Sequence, residues 1–567
     1  MQPFSYHALL LKNLVIMKNI MILLLAGFLA TNLYAQTPSL SAADWQSDLR
    51  FLQQTVHKDY PFLFKKISAE KWDEQVEALH KAIPDMQPHE VLAGFGRIVA
   101  AFGYGHTSMG WTQGPVNTHI VPLNLYWFRN GIHVEGCRED YAEALGAKLL
   151  KVEGMAVENA VEALRPLLPV ENEQYFKAYI LDFLLIPEAL HAQGITKTLK
   201  KNVTLTFERD GKPFDKTFEA VPSFRFQRKY SLVVPGGDWL SVRDQSITPY
   251  YFKNLDKIYY FEYLPEHKTL YVRQSQMLDD KDETIADFYK RVFDYVEKND
   301  VERFVLDVRL NGGGNNYKNK PIVKGLIRAK KINQPGKLFV LIGRRTFSAC
   351  QNLVNELHSY TDAIFVGEPT SENINFYGDN RRVELPKSKV PVFLSFAWWQ
   401  DKPQWENEDW LAPQLAVEMT FDDYRFNRDL VLETALDFND PNIVLDPMSH
   451  LRQLFDAGKL DAVQTEAARM VNDPRYRYIH FEDKINQAGY SLLNAQQHES
   501  AIFVFQLNTQ LFPQSANAWD SLAEAHYKAG RKETAVEYYR KAITLDPNGS
   551  TGENARKMLS EIEKGKG

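Results

Sequence analysis

Between residues 42 and 101 apolar side chains recur at helical spacing. Leu49, Leu52 and Val56 mark one face and Trp72, Val76 and Leu79 another, with Pro61 and Pro84 as breaks. The pattern predicts a helical N-terminal region over 36–110. Between 120 and 222 shorter runs take over. Residues 123–127, 132–135 and 203–208 read as strands, 146–154 as a strand and turn, and 157–164 as a helix. That unit predicts an α+β domain, with 171–193 as a helical insertion. From 223 to 440 buried strands alternate with amphipathic helices, the pattern of an α/β core.

Within the core, Phe304, Val305, Leu306 and Asp307 form a buried strand that runs on to Gly312, Gly313 and Gly314, a loop able to bring backbone N–H groups close to a ligand. No Gly-Lys-Ser/Thr follows and the Gly-x-Gly-x-x-Gly spacing is absent, which argues against a phosphate loop. Residues 337–343 make a second apolar strand ending at Gly343, and Ala349, Leu353, Val354 and Leu357 share one helical face beyond it. Ser348 stands at that joint. It reads either as an N-cap or as a nucleophile beside the unpaired N–H groups and positive end of the helix. Three other segments carry candidate chemistry. They are Gly103-Tyr104-Gly105-His106-Thr107-Ser108, Val366-Gly367-Glu368-Pro369-Thr370, and the acidic loop Trp405-Glu406-Asn407-Glu408-Asp409-Trp410-Leu411-Ala412-Pro413.

In that order the segments resemble the tail-specific, or C-terminal-processing, family of serine peptidases, which includes tricorn core protease. The resemblance covers residues 40–440. It implies a peptidase core over 223–440 and a PDZ-like domain over 120–222 that takes a substrate terminus by strand addition. It also implies Ser348 as nucleophile. Lysine-dependent members carry a lysine in Thr-x-Gly-Lys; this chain has Thr370-Ser371-Glu372-Asn373. That points to the histidine-dependent, tricorn-like branch, with His106 as base and Glu406 as supporting carboxylate, Glu408 or Asp409 being substitutes for it. His358 lies ten residues along the helix from Ser348, roughly 15 Å away, and is set aside; His119 and His133 read as structural. Backbone N–H groups of Ala349 and of one glycine among Gly312, Gly313 and Gly314, with Gly313 preferred, are expected to form the oxyanion hole. The chain departs from the family at three points. Tyr104 replaces an Asp, Gly105 replaces a relay serine, and Gln414 replaces a late Asp. Thr107, Ser108 or Tyr104 could supply the missing hydroxyl, and the sequence selects none of them.

The tail aligns on itself at 34 residues, pairing Gly489 with Ala523, Ala501 with Ala535, Phe505 with Tyr539 and Pro513 with Pro547. This is tetratricopeptide spacing and predicts a helical repeat stack over 447–564, closed by a helix near 554–563. The expected fold class is multidomain α/β. It comprises an N-terminal helical segment, a PDZ-like α+β domain, an α/β serine-peptidase core and a C-terminal α-helical repeat stack.

Composition narrows the function. The 567 residues carry a formal charge of −6 and no basic run interleaved with aromatics, which disfavours nucleic acid as partner. Cys137 and Cys350 are too few for a disulfide framework. No metal-binding motif or cofactor signature appears, and no Gly-x-Ser-x-Gly surrounds a serine. Lys18-Asn19, an apolar run over 20–30 and Leu33-Tyr34-Ala35 read as a signal peptide cleaved after Ala35, with Met17 as the initiator. Removing 1–35 takes two lysines and no acids, leaving −8. The run is short for a membrane span, so no stable anchor is expected and the protein is placed in the periplasm or outside the cell. The leading reading is an exported serine endopeptidase acting on proteins or peptides, with a possible partner protein at the repeats. A second is a catalytically inactive member that binds peptides or apolar ligands through its PDZ-like and repeat domains. A third uses Lys387 or Lys389 as base.

Overall fold

The computed structural model describes residues 40–223, 226–439 and 443–564. The segment 1–35 read as a signal peptide lies outside them. Helices Ala42–Asp59, Ala69–Ala82 and Pro88–Ala100 form the N-terminal region. Ser41 caps the first helix reciprocally with Asp44. The apolar faces bury Leu49, Leu52, Val56, Trp72 and Val76 together with Phe95 and Phe102. Trp72 donates its indole N–H to Ile98 O at 2.9 Å, so this fully buried ring is also satisfied.

A sheet of short antiparallel strands follows, in the order Trp239–Ser241, Gly131–Arg138, Lys148–Val152, Asn202–Arg209, Lys212–Glu219. Leu123–Phe128 pairs with Gly131–Arg138, and the helix Val157–Leu164 packs Val157, Ala160, Val161 and Leu164 into the same core. The insertion is helical, with Glu173–Tyr179 and Pro187–Ala192 joined by a 3-10 segment.

The core sheet runs Tyr259–Leu264, Thr269–Gln274, Arg303–Asp307, Leu338–Ile342, Ile364–Gly367, Leu415–Ala416; the first pair is antiparallel and the rest are parallel. Alternate residues point to opposite faces. Phe304, Leu306, Leu338 and Val340 pack under the helices Ile285–Lys298, Lys320–Arg328 and Ala349–Tyr360. Val305, Phe339 and Leu341 pack on the other face against Val431 and Leu432 of Leu430–Leu436. Each such fully buried side chain contributes roughly 1.5–3 kcal/mol, so the loops at the carboxyl ends of the strands stand on a rigid base. The two cysteines, Cys137 and Cys350, are buried and unbridged.

A hairpin, Phe376–Glu384 with Pro391–Trp399, leaves the core and adds Ser108–Met109 as a third, edge strand. Its Leu385, Val390 and Val392 enter the N-terminal helical core. The hairpin thereby ties the segment carrying His106 to the sheet carrying Ser348.

The tail is a run of helices: Pro447–Asp456, Leu460–Val471, Phe481–Asn494, His498–Leu511, Ala516–Lys528, Lys532–Leu545 and Ser550–Lys564. Small residues sit where helices approach. A Cβ on Gly489 would lie 2.5 Å from the Phe505 ring. The stack is fastened to the acidic loop by a Lys484–Glu408 ion pair and by the rings of Trp410 and His480, 5.0 Å apart. Among the described residues no helix is long and apolar enough to cross a membrane.

Candidate active site

The strand Leu338–Ile342 and the helix Ala349–Tyr360 place Ser348 at a sharp elbow. Its φ of +58° and ψ of −131° lie where a side chain other than glycine is uncommon, a strain of order 1–3 kcal/mol. An N-cap serine instead has extended backbone and accepts a bond from the first turn. Ser348 makes no such side-chain bond. Ala349, the first helical residue, keeps its N–H without a partner among the described residues. Gly313 lies directly against the elbow: at φ +94°, an added Cβ would come within 2.5 Å of Ser348 Cβ and 2.9 Å of Ala349 N. Only glycine permits that approach.

His106 approaches from the other side. Its ring stacks on Phe347 with centroids 4.7 Å apart and is backed by Phe376 at 6.2 Å. Its Nε2 lies 3.3 Å from Glu372 Oε1. The other oxygen of Glu372 accepts the backbone N–H of Ser348. One fully buried carboxyl therefore touches both the elbow and the imidazole. Burial lowers the His106 pKa, against the pull of Glu171 and Asp379, and pushes that of Glu372 well up.

Two further segments hold the histidine loop. Glu171 accepts Gly105 N–H at 2.8 Å, and Tyr175 OH donates to Gly105 O at 3.1 Å. Burial, and then the nearby Glu372, push Glu171 up to about 7. Lys66 donates to Gly103 O at 2.8 Å and to Asn373 Oδ1 at 2.9 Å, with its ammonium 4.6 Å from the Tyr104 ring centroid. One cation thus bridges the loop of His106 and the loop of Glu372. The acidic loop supports the latter through its backbone, since Asp409 O accepts from Asn373 and Glu408 O from Ile374.

Several sequence expectations need correction. Glu406 is half-exposed and faces Lys402 Nζ at 3.7 Å; the carboxyl beside His106 is Glu372. The acidic loop turns toward the repeat stack, which takes Glu408 onto Lys484 and leaves Glu406 outside. The N–H of Gly313 is already donated to Asn311 Oδ1 at 2.9 Å, so it is not a spare oxyanion donor. Gly312 and Gly314 carry the N–H groups of that loop without a partner among the described residues. Lys387 and Lys389 are exposed, facing Asp44 and Glu384.

The departures from the family pattern also find structural reasons. A Cβ on Gly105 would lie 2.6 Å from the Tyr175 ring and 2.9 Å from that of Phe347, so no serine fits there. Tyr104 is buried under Lys66. Gln414 accepts Phe365 N–H at 2.7 Å, a bond within the sheet. The Thr107 and Ser395 hydroxyls are hydrogen-bonded to each other at 2.7 Å. His358 pairs with Lys402 at 2.8 Å and is pushed down to about 4 by burial. Glu372 stood in the run read for a lysine, and Glu171 and Tyr175 in the predicted insertion; nothing local marked any of them as partners of His106. No group of His, Cys, Asp and Glu suited to a metal ion occurs among the described residues.

The family model described as Tetratricopeptide repeat matches residues 516–548. No curated protein matches the sequence. Among solved structures, a mutant of CPAF has a TM-score of 0.51 at 10% identity, covering 72% of this chain and 100% of that one. Mature CPAF gives 0.48 at 12%, over 72% and 100%. Tricorn protease gives 0.35 at 13%, over 70% of this chain and 36% of its own. At 10% identity the likeness to the CPAF mutant is one of fold.

Proposed function

We propose that this chain is an exported serine endopeptidase, with Ser348 as nucleophile, His106 as base and Glu372 as the carboxylate that holds the imidazole. The observation that carries the reading is the Ser348 elbow, strained and uncapped, with a glycine loop pressed against it. In the reaction Ser348 Oγ attacks the peptide carbonyl carbon as its proton passes to His106. The oxyanion is met by the N–H of Ala349 and of a neighbouring glycine of the 312–314 loop. Collapse breaks the C–N bond as the imidazolium returns the proton to the leaving amine, and water attacking through the same base then releases the acyl group.

For His106 to accept that proton, Glu372 must be ionised. His106 Nε2 and Glu372 Oε1 lie 3.3 Å apart without a formed hydrogen bond. As a carboxylate Glu372 would favour the proton on Nε2 and leave the lone pair on the other ring nitrogen; as a neutral acid it would instead donate toward Nε2 and spend the lone pair there. The unit over 120–222 is proposed to present substrate in the manner of a PDZ domain, and the segment 1–35 to direct export. The test is labelling of the purified protein with a fluorophosphonate, followed by mass mapping of the modified residue. Label on Ser348, lost in Ser348→Ala, is the expected result. An unlabelled native protein that hydrolyses no peptide would overturn the reading.

A further inference from the structure

We propose that the apolar groove beside Ser108 and Met109 takes a large apolar side chain of the peptide substrate, whose backbone extends along the open edge of that strand. The proposal rests on the peptidase reading of Ser348 and His106.

The groove has a volume of about 280 Å³ and is walled by Met109, Trp111, Leu168, Tyr175, Tyr179 and Phe183. Ser108 and Met109 pair with Phe393 and Val392 on one side. On the other side they meet no strand among the described residues. An unpaired edge is a template for an added extended chain, and side chains of that chain alternate toward the wall below. The edge begins two residues after His106, so a chain laid on it runs past the base. The groove is also continuous with the base loop. Its Tyr175 wall is the ring packed on Gly105, 5.7 Å from Phe347, which in turn stacks on His106. At the rim, the Asp182 carboxylate is held by Arg228 at 2.8 Å, so the groove presents no uncompensated negative charge from that residue to repel an apolar group. An apolar side chain moved from water into such a wall gains roughly ten- to hundred-fold in affinity over glycine.

The experiment separates binding from cleavage. Short fluorescent peptides of glycine and serine, with one phenylalanine placed at successive positions, are titrated into the full-length Ser348→Ala protein by anisotropy. One position of the phenylalanine should tighten binding at least about tenfold over the all-polar peptide. That gain should vanish in Leu168→Arg and shrink in Tyr179→Ala, whose partly buried ring packs at the margin of the core. Equal binding of all peptides, or a gain that survives in both variants, overturns the groove. Discriminating binding with no hydrolysis by the native enzyme keeps the groove and sinks the peptidase reading. Hydrolysis indifferent to phenylalanine at every position sinks the groove alone.

Discussion

The Ser348 side and the His106 side of the site are assembled in different ways. Ser348 is placed by consecutive residues: a buried strand, a glycine, a strained elbow and an amphipathic helix within residues 338–360. His106 is placed by segments far apart in the chain. Lys66 comes from the N-terminal region, Glu171 and Tyr175 from the insertion, Phe376 from the hairpin and Glu372 from the loop after the Ile364–Gly367 strand. The first side depends on local geometry and tolerates little change at one or two residues. The second depends on many weak, separable supports, each of which can be removed alone.

The largest effect is expected where the two sides meet. Ser348→Ala and His106→Ala should each lower kcat/KM by at least about 10⁴-fold, and the double variant should be hardly worse, because the two act as a unit. Steady-state kinetics on one peptide checks it, and additive losses would mean that the sides work separately. Gly105→Ser should come next. The added atoms meet the Tyr175 and Phe347 rings, an overpacking that typically costs 1–3 kcal/mol, and should cut turnover on the order of 100-fold by displacing His106. Combining it with Tyr175→Ala should restore only part of that loss, because the Phe347 ring stays in place and the Tyr175 bond to Gly105 O is removed.

Lys66→Met should lower kcat roughly tenfold with little change in KM, and Lys66→Arg should recover part of it. Because Lys66 pulls the pKa of Glu372 down, its removal should also move the onset of activity to higher pH. The smallest change is one of stability. Glu171 is raised from 4.5 to about 7 in the folded protein, so the folded state holds a proton the unfolded state gives up. That favours folding at low pH and is lost as pH rises from 4.5 through 7, on the order of 3 kcal/mol in all. Glu171→Gln should therefore melt close to the native protein at pH 4.5 and above it at pH 8.

The same contrast explains what was legible in the sequence. The strand, glycine loop and helix around Ser348 announce themselves by period and composition, as do the N-terminal helices and the 34-residue spacing of the tail. The insertion at 171–193 was legible as helical, but that Glu171 and Tyr175 would grip Gly105 depends on three-dimensional packing across 66 and 70 residues of chain. Glu406 was chosen by its place in a motif. Glu406 turns outward toward Lys402, four residues earlier, and its loop is held by Lys484 of the repeat stack, a partner far along the chain. The preference for Gly313 failed on one bond: Asn311, two residues earlier, folds back onto its N–H.

The most direct test of the account compares two carboxylates. The rate of fluorophosphonate labelling is measured against pH for the native protein, Glu372→Gln and Glu406→Gln. In the native protein labelling should rise with pH. Burial holds His106 below the usual 6.5, so the imidazole is already neutral, and the limiting step is ionisation of Glu372, held above the usual carboxylate range. Glu372→Gln should label on the order of 10- to 100-fold more slowly at neutral pH, with its rise moved down to the titration of His106 alone. Glu406→Gln should follow the native curve. A native curve in Glu372→Gln together with slowed labelling in Glu406→Gln would contradict the assignment.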